Sequence, residues 1–170
     1  MTDRRPAPQF RKMTAADLPR AARLVKEYYA FDGLPYNAAH TRAALRLVLR
    51  QSARAPAAPG LPPAVGGVWL IQVAGKLAGY VALTPCFSLE FHGEVFIDEL
   101  YLRPAFRRQG VGQATLAFTA DWARRNGVTA IHVISEKENP AARRAYRKAG
   151  FGGAHRFLMT RLVDPPPHLR

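Results

Sequence analysis

The sequence predicts a mixed α/β (α+β) domain, a mostly antiparallel central sheet with helices on both faces. Three observations carry that expectation. The order of apolar patterns reads strand, two helices, a run of strands, then helix–strand–helix–strand. Two of the strand patterns meet at a glycine turn, as antiparallel neighbours do. The chain has 170 residues, 48% of them hydrophobic, enough for one domain with a sizeable core. A single domain over 1–170 is expected, ordered from about residue 8 to 163, with flexible ends at 1–7 and 164–170.

Phe10–Thr14 (FRKMT) alternates apolar and polar residues and reads as a first strand. In the next segment Asp17 is expected to cap a helix, with Pro19 in its first turn. Leu18, Ala22, Val25 and Tyr29 recur at helical spacing, and Gly33 and Pro35 end the helix. A second helix spans Ala38–Gln51, with Leu45, Val48 and Leu49 on one side and Arg42, Arg46 and Arg50 on the other. Residues 52–67 are rich in Pro, Gly and Ala and read as a loop. VWLIQVAG and KLAGYVALTPCF flank Gly75 and Lys76 as an antiparallel hairpin, and Glu94–Leu102 (EVFIDELYL) follows as a third strand.

From Gly110 to Asn126 a helix places Val111, Ala114, Phe118 and Trp122 on one stripe, closed by Gly127. VTAIHVIS (128–135) is the apolar, β-branched run expected of a central strand covered on both faces. Asn139 and Pro140 fit the first positions of a last helix ending at Gly150. Phe151–Leu162 reads as a closing strand, and DPPPHLR as a frayed tail.

Composition narrows the function classes. The lone Cys86 excludes a disulfide framework and fits a cytoplasmic location. No apolar run is long enough for a membrane span, and MTDRRPAPQF has no apolar leader core. The histidines show neither HxxxH nor CxxC-type company, so no metal site is expected. A net charge of +13 suits nucleic acid, an anionic membrane or a polyanionic small molecule, and charge alone does not separate these.

RPAFRRQGVGQATL (103–116) sharpens the question. A helix N-terminus favours acidic or capping side chains, yet Arg107 and Arg108 sit there instead. GxxxxGK[ST] would need a lysine and a hydroxyl that are missing, and GxGxxG fails at Thr115. A general anion site fits better: free amides at the helix start, glycines that allow close approach, and two arginines as counter-charge. A helix start with solvated arginines is the plain alternative.

Arg107-x-x-Gly110-x-Gly112 is similar to the (Q/R)xxGx(G/A) acetyl-CoA signature of the GNAT superfamily of N-acetyltransferases. Downstream, Asn139, Ala142, Tyr146, Gly150 and Phe151 fall at the spacing of its NxxAxxxYxxxGF element, so the likeness covers residues 94–151. The resemblance implies a GNAT-like fold and an enzyme that transfers acetyl from acetyl-CoA to a primary amine by direct attack in a ternary complex. It implies that residues Arg107, Arg108, Gln109, Gly110, Val111, Gly112 and Gln113 hold the coenzyme A pyrophosphate. Main-chain groups of Leu100, Tyr101 and Leu102 would bind the thioester end, with Asn139 and Tyr146 also touching the coenzyme.

In that chemistry an amine arrives as ammonium and must lose a proton before attack. Asp98 and Glu99 are candidate bases; as strand neighbours they are expected on opposite faces, and Glu99 has the longer reach. The resemblance makes Tyr146 the acid that protonates the departing thiolate, whereas by itself it reads as a core tyrosine. It also places the junction 26–37 over the acceptor cleft, where Tyr28, Tyr29, Phe31 and Tyr36, with Asp32 and Glu99, could hold a cationic amine; an aromatic core is the alternative. Glu90 and His92 are further candidates. The acceptor is a small-molecule or protein amine, with no nucleic acid or membrane partner expected, in a monomer or homodimer. A non-catalytic acyl-CoA sensor on the same fold and a basic nucleic-acid-binding domain are the rival readings, the latter lacking any recognised motif.

Overall fold

The computed structural model describes residues 6–52, 66–135, 138–152, 160–161 and 163. Five strands form one sheet in the order β1 (Gln9–Lys12), β2 (Gly67–Val73), β3 (Lys76–Ser88), β4 (His92–Leu102) and β5 (Ala130–Val133). The first four pair antiparallel, and β5 runs parallel to β4. Helices α1 (Leu18–Asp32) and α2 (Ala38–Ser52) lie on one face; α3 (Val111–Arg125) and α4 (Pro140–Lys148) lie on the other.

The β2–β3 turn is Ala74–Gly75, both left-handed at φ 49° and 73°, so Lys76 already belongs to the strand rather than to the turn. Two such residues give the tight hairpin whose twist matches the strands. Asp17 does not cap α1 with its side chain. Its buried carboxylate instead takes a two-pronged bond from Arg11 (2.8 and 2.7 Å) and bonds from the Thr14 amide and hydroxyl. Those donors hold its pKa well below the usual carboxylate range, Arg11 first among them. Gly33, at φ 71°, ends α1 as the sequence predicts. Asn37, overlooked in the sequence reading, accepts bonds from the amides of Ala39 and His40 and caps α2.

On the α1–α2 face, Leu24, Leu45, Leu70, Tyr80 and Tyr101 form the core. On the α3–α4 face, Val81, Val95, Ile97 and Leu116 surround Trp69, which meets Trp122 edge-on at 5.4 Å. Each fully buried aliphatic side chain contributes about 1.5–3 kcal/mol. The α3 stripe is rotated from the expected one: Thr115 and Thr119 are fully buried, where Ala114 and Phe118 were expected. β5 is shorter than expected and lies at an end of the described sheet, each residue half-buried rather than covered on both faces. The expected closing strand 151–162, most of the 52–67 loop and the DPPPHLR tail lie largely outside the described residues.

Candidate active site

β4 carries an irregularity that organises the site. Ala82 pairs with Glu99 but Leu83 pairs with Ile97, which leaves Asp98 as an extra residue in a bulge. The bulge breaks strict alternation, so Ile97 and Leu100, three apart, both pack on the α3 side. Asp98 and Glu99 are therefore not segregated to opposite faces as expected. Asp98, at an exposed position, is close enough to raise both Glu99 and Tyr29.

Glu99 points into the α1 side. The Tyr80 hydroxyl donates to its Oε2 at 2.5 Å, and Tyr29 also hydrogen-bonds to it. Burial pushes the carboxyl above its usual range, the two hydroxyls pull it back, and Asp98 pushes it further up; the net direction is upward. Burial and the facing carboxylate likewise push Tyr29 up to about 12, and Tyr80 further still. Tyr80 went unrecognised in the sequence. Its signal was the register of AGYVAL against DELYL, which needs the bulge to be placed first.

Of the aromatic residues of the α1–α2 junction, Tyr29 reaches this carboxylate directly and Tyr28 lies near it, with Phe31 and Tyr36 packed beyond them. Tyr28 lies 5.9 Å from Tyr101 and donates to Asp32 at 3.2 Å. Tyr29 meets Tyr36 edge-on at 6.3 Å. Phe31 is 56% exposed, with the Arg107 guanidinium stacked 4.0 Å above its ring. A second long-range link, also missed, is the bidentate pair of Arg103 with Glu27, both bonds 2.8 Å, which ties α1 to the end of β4.

β4 and β5 pair only from Glu94–Ala130 to Ile97–Val133. Beyond Ile97 the β5 edge of β4 has no partner among the described residues. The Arg103 amide donates to Ala78, so antiparallel alternation gives the groups of Tyr101 and Glu99 to β3 and turns those of Leu100 and Leu102 toward the open edge. Arg107 Nε donates to the Leu102 carbonyl at 2.7 Å, so this arginine folds back onto the slot rather than outward.

The slot leads to the start of α3. Arg108 and Gly110 are both left-handed, at φ 59° and 83°, and no side chain caps the helix. The amides of Val111, Gly112 and Gln113 therefore have no acceptor one turn back, which forms a concave set of donors. A Cβ at Gly112 would find only Leu102 Cδ1 at 3.8 Å, so packing does not demand this glycine. The Gln109 side chain is engaged with the Ala105 carbonyl and that of Gln113 with the Ala145 carbonyl, which leaves Arg108 as the outward cation.

Asn139 caps α4 by accepting from the Ala142 amide at 3.0 Å, with Pro140 as first residue. Two turns on, Tyr146, like Leu100, packs against the α3-side core, and it meets Phe151 edge-on at 5.7 Å. Burial raises its phenol, so it stays protonated at neutral pH. Glu90 lies in the exposed β3–β4 turn, away from this constellation, and His92 starts β4 at the strand end far from Glu99.

Residues 26–151 match the model of the acetyltransferase (GNAT) family. Among relatives, the aminoglycoside N(6')-acetyltransferase type 1 of Klebsiella aerogenes is 36% identical over 87 residues, 48% of this chain and 57% of that protein. The chain thus spans little more than half the length of that relative. An integron cassette protein from the mobile metagenome of Cole Harbour Salt Marsh is 28% identical, with a TM-score of 0.78 over 94% of this chain and 93% of its own. The aminoglycoside N-acetyltransferase AAC(6')-Iy, in complex with CoA, shares the fold at a TM-score of 0.72 and 17% identity, over 95% of this chain and 99% of its own.

Proposed function

The chain belongs to the acetyltransferase (GNAT) family, and on that premise we propose that it transfers an acetyl group from acetyl-CoA to the amine of a small molecule, by direct attack in a ternary complex. One observation carries the proposal. The same five residues of β4, 98–102, hold a partly desolvated carboxylate on one face and, along one edge, main-chain groups with no strand partner among the described residues.

Each part then has a task. The amides of 111–113 and Arg108 bind the pyrophosphate, for which a helix start with convergent donors is suited. The Leu100 and Leu102 edge holds the pantetheine arm and orients the thioester carbonyl, with Arg107 keeping the Leu102 carbonyl in place. Glu99 takes the proton from the ammonium, directly or through a water, a task that its raised pKa suits. The neutral nitrogen attacks the thioester carbon and the C–S bond breaks. Tyr146 gives its proton to the departing sulfur, and the second proton that the nitrogen sheds on becoming the amide passes through solvent to restore the phenol. Tyr28, Tyr29, Phe31 and Tyr36 wall the acceptor, with Asp32 at the rim.

Thermal unfolding with acetyl-CoA and a thiol-release assay over a panel of small amines test this. A rise in melting temperature with acetyl-CoA is expected, lost in Gly110→Asp, together with thiol release on at least one amine. No shift for the wild type would sink the coenzyme assignment, and a shift without turnover would leave an acyl-CoA sensor. Tyr146→Phe is expected to lower kcat by about tenfold or more with acetyl-CoA affinity retained. An unchanged rate would remove Tyr146 as the acid.

A further inference from the structure

We propose that the outer groove between α1 and α2 is a second ligand site, for a small organic anion that carries a phosphate or carboxylate on an apolar body. The groove encloses about 600 Å³, within the span of roughly 300–1,000 Å³ typical of small-molecule sites. Arg23 and Lys26 of α1 face Arg42 and Arg46 of α2 across it. Its floor is apolar, formed by Leu18 and Ala22, with the Tyr36 ring as one wall.

The charge is only weakly compensated, by the long Arg23–Glu27 pair and by the Tyr36 ring 5.9 Å from Lys26 Nζ. α2 (AAHTRAALRLVLRQS) contains no acidic residue, and Arg42 and Arg46 stand one turn apart, where like charges repel. Among the described residues no ion pair engages Lys26, Arg42 or Arg46. Glu27 reaches Arg23 only at 4.0 Å and is already clamped by both prongs of Arg103, and Asp17, between the lining residues Ala15 and Leu18, is held by Arg11. Four cations around a low-dielectric floor focus a positive field into a concave site, which attracts an anion and repels a polycation. The groove shares the Tyr36 ring with the proposed acceptor cleft but lies apart from the donors at the start of α3, and its four cations stand whether or not the acyl-transfer reading does. Its short, concave, half-open shape and apolar floor favour a small anion over the extended phosphate track of a nucleic acid.

Calorimetric titration with phenyl phosphate, and with phenyltrimethylammonium as charge control, tests the site in three proteins: wild type, Arg42→Ala/Arg46→Ala and Gly110→Asp. The expected result is binding of the phosphate but not of the ammonium, weakened at least tenfold in the double variant and unchanged in Gly110→Asp. Both arginines are exposed, so the double variant is expected to keep its melting temperature, checked by circular dichroism. Absence of binding, equal affinity in the double variant, or loss in Gly110→Asp would overturn the proposal. So would Arg42- and Arg46-dependent binding of a duplex oligonucleotide without binding of phenyl phosphate, which would make the groove a nucleic-acid contact.

Discussion

On the α3 side of the sheet, Thr115 and Thr119 are fully buried, and each hydroxyl donates to the carbonyl one turn back, Val111 at 2.8 Å and Thr115 at 3.0 Å. On the α1 side, Glu99 is half-buried, and its donors, Tyr80 and Tyr29, come from the neighbouring strand and from a helix far away in sequence. The threonines solve a polar problem locally, and their surroundings remain a dry core of Trp69, Trp122 and Leu116. Glu99 keeps a charge-bearing group where burial disfavours the charge, in a setting that only the whole fold can assemble. A half-buried carboxylate held this way fits the base role proposed for Glu99, whereas the Thr115–Trp122 part of the other face serves cohesion, with Tyr146 at its margin.

The largest effect should fall on the cohesive face and spare the chemistry. Trp122, only 7% exposed, packs edge-on against Trp69. Trp122→Ala is expected to cost about 3–5 kcal/mol of stability while the folded fraction keeps its kcat. Denaturant melts paired with active-site-normalised rates check this, and a collapse of kcat in the folded fraction would show that the faces are not independent.

Glu99→Gln should do the reverse. The amide still accepts from Tyr80, so the fold is kept, but turnover should fall about a hundredfold or more with loss of the base. The pH profile gives a sharper reading. Glu99 is raised in the folded state, so the wild type gains stability at acid pH and loses it as pH rises from the ordinary glutamate value through the raised one. That loss, and the matching acid limb of kcat, should both vanish in the variant. A limb that survives the substitution would assign the base to Asp98 or to a water.

What was legible in the sequence follows the same division. Helix ends are written locally, and Gly33, Asn139, Pro140 and Gly150 could be read one residue at a time. The Arg107–Gly112 turn was equally legible as a donor-rich helix start. The bulge at Asp98 was not, because it involves no glycine and shows only as a register shift against Ala82 and Leu83. Without it, alternation sent Asp98 and Glu99 to opposite faces and hid Tyr80. The contacts of Arg107 were illegible for a related reason: its stacking partner Phe31 belongs to another element, so nothing near residue 107 announced where the guanidinium lies.

Two single-hydroxyl deletions give the finest test of the comparison. In Tyr80→Phe the Glu99 carboxylate loses its closest donor. That bond favours the charged form, so its removal should move the acid limb of kcat to higher pH and destabilise the fold by about 2 kcal/mol. In Thr115→Val the side chain keeps its shape, and the Val111 carbonyl keeps the backbone amide of its own helix, so no buried group is stranded. Back-bonding of this kind adds little to a helix, and the change should stay within roughly 0.5–1 kcal/mol with no movement of the pH profile. Equal costs for the two would mean that the α1 face is an ordinary core with a carboxylate in it. A pH shift in Tyr80→Phe alone would tie that hydroxyl to the chemistry, as the long-range route by which Glu99 is held supports.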